Sequence, residues 1–143
     1  MKILIISGSA WVIAQLIKVI IGRIKEKHYD WRYLFGTGGM PSAHSATVCA
    51  LAMAIGLIEG WDSVSFDIAV ILAIIVMYDA AGVRRAVSRT AVTLNRISRE
   101  LREHYPRDYV ERDMRELWGH TPFQVFVGAF IGIAVAVIGV YLF

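Results

Sequence analysis

Four apolar runs, each about as long as a bilayer is thick, leave this chain few folds to adopt. They are Ile3–Gly22, Ser42–Glu59, Val64–Val83 and Pro122–Phe143. Crossing the hydrocarbon core takes about 20 mostly apolar residues in a helix. Backbone polar groups in lipid must be satisfied internally, so only helices and closed barrels can cross. Barrel strands alternate apolar and polar positions over about ten residues. Ile71–Val76 and Phe130–Val140 do not alternate, which selects helices. The 143 residues, 57% of them hydrophobic, are enough for one domain. The sequence therefore predicts an all-α polytopic membrane protein, a single domain over 1–143. It should be a bundle of about four transmembrane helices at about 3–22, 42–59, 64–83 and 122–143. The first run is read as a retained helix: Gln15 and Lys18 interrupt it, and no small-x-small cleavage site precedes the loop. The lone Cys49 is read as a small packing residue.

The charges in the loops orient the bundle. The first loop, Arg23–Pro41, carries Arg23, Lys25, Lys27 and Arg32, and the third, Arg84–Thr121, carries nine arginines. The second, Gly60–Ser63, has no Lys or Arg. Short basic loops stay in the cytoplasm, so loops one and three should be inside and both termini outside. In loop three, Leu94, Ile97, Leu101, Met114 and Leu117 recur at roughly helical spacing among Arg and Glu. That pattern suggests one or two amphipathic helices on the membrane surface, broken near Pro106. The alternative is a solvated hairpin held by pairs such as Arg99 with Glu103.

Ionisable residues inside spans are costly and therefore usually functional. Lys18 lies in the last turns of the first span, where snorkelling to the interface is the competing explanation. The turn Gly36-Thr-Gly-Gly-Met-Pro-Ser-Ala-His44-Ser45 opens the second span. Pro41 suits a first helical position. The N–H groups of Ser42, Ala43 and His44 would then lack helical partners and carry the positive end of the dipole. Gly38 and Gly39 would let the backbone approach a ligand, so the turn reads as a phosphate-type anion site. Span three ends on Tyr78-Asp79-Ala-Ala-Gly-Val-Arg84-Arg85, and span four opens on Gly119-His120-Thr-Pro122. Thr121 reads as a cap and Pro122 as the first helical residue. Lys18, His44, Arg84 and His120 all fall at the cytoplasmic ends of their spans. Two histidines, two or three cations and a helix N-terminus around one point suit phosphoryl transfer. One His can attack, the other can protonate the leaving oxygen, and the cations can hold the remaining oxygens. No metal-ligand spacing is evident.

These motifs resemble the type 2 phosphatidic acid phosphatase and vanadium haloperoxidase superfamily. More closely, they resemble its small divergent branch of membrane proteins, described as acid phosphatase/vanadium-dependent haloperoxidase-related. The resemblance covers nearly the whole chain, from Ala14-Gln15-Leu-Ile-Lys18-Val19 to Gly119-His120-Thr-Pro122. It implies that Lys18 and Arg84 or Arg85 bind phosphate, with Ser42 and the Ala43 backbone. It implies that His44 is the general acid and His120 the nucleophile that forms a phosphohistidine. The chain departs from the superfamily at four points. The Arg-Pro that completes the first motif is absent, Ala43 replaces the Gly of Pro-Ser-Gly-His, loop three separates Arg85 from His120, and Gln124 replaces an acid. Asp79 could supply that charge and orient His120.

The expected activity is hydrolysis of a lipid phosphomonoester, phosphatidylglycerophosphate or phosphatidic acid, without a cofactor. The site would face the cytoplasm in a plasma membrane, the inner membrane of a bacterium. The alternative is a lipid-phosphate binding or transport protein that does no chemistry. The expected partner is the lipid substrate, not nucleic acid. A homodimer could use the ridge of Gly128, Gly132, Ala136 and Gly139, which could equally pack within one subunit.

Overall fold

The computed structural model describes residues 1–26, 39–104 and 120–142. Every regular element among them is a helix. They are α1 (Lys2–Glu26), α2 (Ala43–Glu59), α3 (Val64–Ala81), α4 (Val83–His104) and α5 (Pro122–Leu142). Three are long and apolar enough to cross a membrane: Lys2–Ile24, Val64–Ala81 and Pro122–Leu142. The fourth expected span falls short of that length. Helix α2 has 17 residues and reaches about 26 Å, against a hydrocarbon core of about 30 Å. It packs against α1, α3 and α5, so its neighbours face the lipid in its place.

The central position of α2 follows from its small side chains. Its buried face includes Ala43, Ser45, Ala46, Cys49, Ala50, Ala54 and Gly56, so neighbouring backbones can come close. Helix α5 answers with Gly128, Gly132, Ala136 and Gly139, all buried. A Cβ added at Gly128 would fall on the Ser42 carbonyl oxygen, and one at Gly132 on that of Ala46. At Gly139 it would meet the Ile6 side chain. The glycine ridge is therefore used inside the subunit. The outer faces carry large exposed apolar residues, among them Leu16 and Ile20 of α1, Ile71 and Ile75 of α3, and Phe126 and Phe130 of α5. A bilayer covers such a surface, which is too apolar for water.

The buried stripe of α1 runs Ile6, Ala10, Ala14, Lys18, one residue per turn on one face. Lys18 is thus on the side that faces the bundle. It is 3% exposed, so its charge does not snorkel outward.

Helix α3 ends at Ala81, and Gly82 donates its N–H to the Tyr78 carbonyl at 2.8 Å. Arg84 and Arg85 therefore belong to the first turn of α4, not to the end of the third span. Helix α4 is a single amphipathic helix through His104. Val83, Val87, Leu94, Ile97 and Leu101 form its exposed apolar stripe, and it packs chiefly against α3. Arg96 pairs with Glu100 at 3.3 Å, with both side chains mostly exposed, a pair worth a few tenths of a kcal/mol at most, about 0.3–0.5. Pro106 and the Glu103 side chain lie outside the described residues.

Candidate phosphate site at the α2 and α5 N-termini

The N-termini of α2 and α5 are joined by one backbone bond: the Ser42 N–H donates to the Gln124 carbonyl at 3.2 Å. Gly128, one turn beyond Gln124, makes room for it. Sequence reasoning missed this role, although the Gly recurs four residues after Gln124. Helix α2 begins at Ala43 rather than Pro41, because Ser42 is its cap. The Ser42 hydroxyl oxygen accepts from the Ser45 N–H at 3.4 Å and from the Ser45 hydroxyl at 3.0 Å. Its own hydrogen remains to be donated. The Ser42 N–H is already spent on Gln124, so the anion-binding donors expected at Ser42, Ala43 and His44 are reduced by one.

Helix α5 begins as the sequence predicts, with Thr121 before Pro122. The Gln124 N–H donates to Thr121 Oγ1 at 3.4 Å, and the Thr121 N–H donates to Gln124 Oε1 at 3.0 Å. This reciprocal pair is a capping box. The same Oε1 lies 3.4 Å from His120 Nδ1. As Oε1 only accepts, Nδ1 carries the hydrogen and Nε2 the lone pair. The partner at Nδ1 is thus Gln124, not Asp79.

The ring of His120 is 1% exposed. Its backbone N–H donates to the Ala80 carbonyl at 3.3 Å, so α3 also fixes it. Nε2 is buried and has no hydrogen-bond partner among the described residues. The Gly39 backbone lies close enough to favour the protonated ring without forming a bond of ordinary geometry to Nε2. Burial, chiefly, holds the His120 imidazole below the usual histidine range, and the charges of Lys18 and His44 push it the same way. The Gln124 and Gly39 contacts oppose them. The ring is therefore neutral at pH 7, and its buried Nε2 makes no hydrogen bond among the described residues.

Lys18 and His44 thus lie within electrostatic range of His120. Gly39 has a φ of +93° and lies along the Lys18 stem, where a Cβ would stand 3.4 Å from Cγ. That φ favours glycine. His44 is exposed and shares a cleft with Asp79. Gly38 lies outside the described residues, as do the side chains of Arg84 and Arg85. No group of three or more His, Cys, Asp or Glu among the described residues could hold a metal ion.

A family model described as the divergent PAP2 family matches residues 1–135. A relative from Bacillus subtilis (strain 168), the uncharacterized membrane protein YuiD, is 37% identical over 150 residues. That alignment covers 98% of this chain and 94% of the relative. No solved structure matches the chain.

Proposed function

Because this chain belongs to the divergent PAP2 family, and because its site centres on a buried neutral histidine, we propose that it hydrolyses a lipid phosphomonoester. The observation that carries this reading is the buried Nε2 of His120, which makes no hydrogen bond among the described residues and lies within electrostatic range of Lys18. A buried polar atom without a partner costs about 1–3 kcal/mol, a cost that a nucleophile awaiting its substrate explains.

The reaction runs in two displacements. The Nε2 lone pair attacks phosphorus and forms the N–P bond. The bond from phosphorus to the ester oxygen breaks, and that oxygen takes a proton from His44. Water then attacks the phosphohistidine and gives a proton back to His44. The N–P bond breaks, its electron pair returns to Nε2, and inorganic phosphate leaves. Lys18, the Ser42 hydroxyl and the Ala43 N–H hold the phosphoryl oxygens. Arg84 and Arg85 supply further charge in this scheme. Gln124 keeps the proton on Nδ1 and so acts as a positioning residue.

Short loops rich in Lys and Arg support a site at the cytoplasmic face of a plasma membrane in this reading. The substrate is then a lipid phosphate of that leaflet, such as phosphatidylglycerophosphate or phosphatidic acid. Phosphate release by purified protein in detergent, with EDTA present, tests the proposal. A binding or transport protein would bind lipid phosphate and release none.

A further inference from the structure

His44 also lines a cleft that phosphate binding does not need. The cleft measures about 280 Å³ and is bounded by His44, Ile75, Val76, Asp79 and Ala80. The four α3 residues share one helix face, since their spacing repeats at three and four. Ile75 is 60% exposed on a helix long and apolar enough to span the membrane, so the cleft opens sideways toward lipid. Ala80 ties it to the nucleophile, because its carbonyl accepts the His120 N–H.

Its position follows from the proposed reaction. An in-line displacement puts the leaving oxygen on the far side of phosphorus from Nε2 and next to the general acid. The leaving alcohol therefore lies beside His44, where the cleft is. Pockets for drug-sized ligands begin at about 300 Å³, so this one takes a head group while acyl chains stay in the bilayer. Its polar groups are the His44 ring and the Asp79 carboxylate, set in an otherwise apolar wall. A carboxylate accepts hydrogen bonds and repels anions, so the cleft is a poor second phosphate site. It suits an apolar body that carries a hydrogen-bond donor.

We infer that the α2–α3 cleft is the leaving-group subsite, and that Asp79 selects lipid phosphates whose leaving alcohol carries a second hydroxyl near the scissile ester. This rests on the hydrolase reading. Such a substrate is a phosphomonoester on a glycerol-type head group. Phosphatidic acid offers no such hydroxyl, since both remaining oxygens of its glycerol are acylated. A hydrogen bond to a charged acceptor corresponds to a preference of about tenfold or more.

The test uses two lipids that differ by one oxygen: a glycerol-headed lipid phosphate and its 1,3-propanediol analogue. Wild type should show kcat/KM about tenfold or more higher for the glycerol form. Asp79→Ala should erase that preference by losing only the glycerol-headed activity, and Asp79→Asn should restore part of it. No preference in wild type, or an equal loss on both lipids, would overturn the assignment. Competition binding of the same lipids to His120→Ala and to His120→Ala/Asp79→Ala separates the two readings. If wild type releases no phosphate from any lipid, the hydrolase fails. A binding preference for the glycerol form that vanishes with Asp79 would still support the head-group subsite, and the absence of that preference would remove it.

Discussion

The two ends of α2 are built from the same parts and do opposite things. Each has a serine cap nearby, Ser42 before α2 and Ser63 before α3, and each has a glycine at positive φ, Gly39 at +93° and Gly60 at +100°. At the Gly60 end the chain closes on itself. Trp61 fills the space that Gly56 leaves and meets Phe66 edge-on at 5.1 Å. Ser63 Oγ donates to the Gly60 carbonyl at 2.8 Å and accepts the Phe66 N–H at 3.3 Å. Its charged neighbours Glu59, Asp62 and Asp67 are exposed. At the Ser42 end, by contrast, the polar side chains of Lys18 and His120 are buried. One end spends its polar groups on turn geometry, and the other keeps polar capacity out of water. Burying a lysine and a histidine is expensive, so the second end marks the site.

Substitutions at the two ends should therefore separate activity from stability. The largest effect belongs to His120→Ala, which removes the proposed nucleophile and should lower phosphate release by about 10⁴-fold or more while lipid phosphate still binds. His44→Ala should cost about 10² to 10⁴. That loss should shrink on an aryl phosphate with an acidic phenol, whose leaving group needs no proton. Equal losses on both substrates would remove His44 from the acid role.

Gly128→Val should come next. Its side chain would strike the Ser42 backbone, which cannot swing aside as a flexible side chain can. Overpacking of this kind costs about 1–3 kcal/mol, and displacing α2 from His120 should lower activity by about 10². Thermal melting in detergent and turnover together read both effects. Gly56→Ala is the matched control at the other end. There the added atom meets the Trp61 ring, a side chain that can move. It should lower the melting point and leave turnover within about twofold. Comparable activity losses from both would erase the functional difference between the ends.

A smaller effect concerns pH. The His120 imidazole must be neutral to attack, and burial lowers its pKa. The acid limb of kcat/KM should therefore lie below the ordinary histidine value of about 6.5, with activity retained above that limb and lost as pH falls through it. Lys18→Met removes a charge that lowers the pKa, so it should move the limb upward toward 6.5. A limb that stayed put would mean that Lys18 does not act on His120.

Much of this was legible in the sequence because lipid makes helices read as apolar runs. The Thr121–Pro122 start of α5 was equally plain, as a proline within a helix is tolerated best in its first turn. What escaped depended on which of two rules wins locally. Pro41 fits a first helical position, but Ser42 can offer its oxygen to the Ser45 N–H, and the helix starts one residue after that cap. Gly82 interrupts an apolar run that hydropathy alone reads as continuous to Val83. Asp79 attracted attention as a charge in a span, whereas Gln124 was already marked by its three-residue spacing from Thr121. That spacing makes a capping box, and a cap held in place can also hold a histidine.

The central claim is that His120 attacks phosphorus. Acid-labile, base-stable label should appear on wild-type protein mixed with ³²P-labelled lipid phosphate in EDTA and quenched with base. It should be absent from His120→Ala and accumulate in wild type at early times before phosphate is released. Phosphate release that proceeds in wild type with no labelled protein at any time, and survives in His120→Ala, would contradict it.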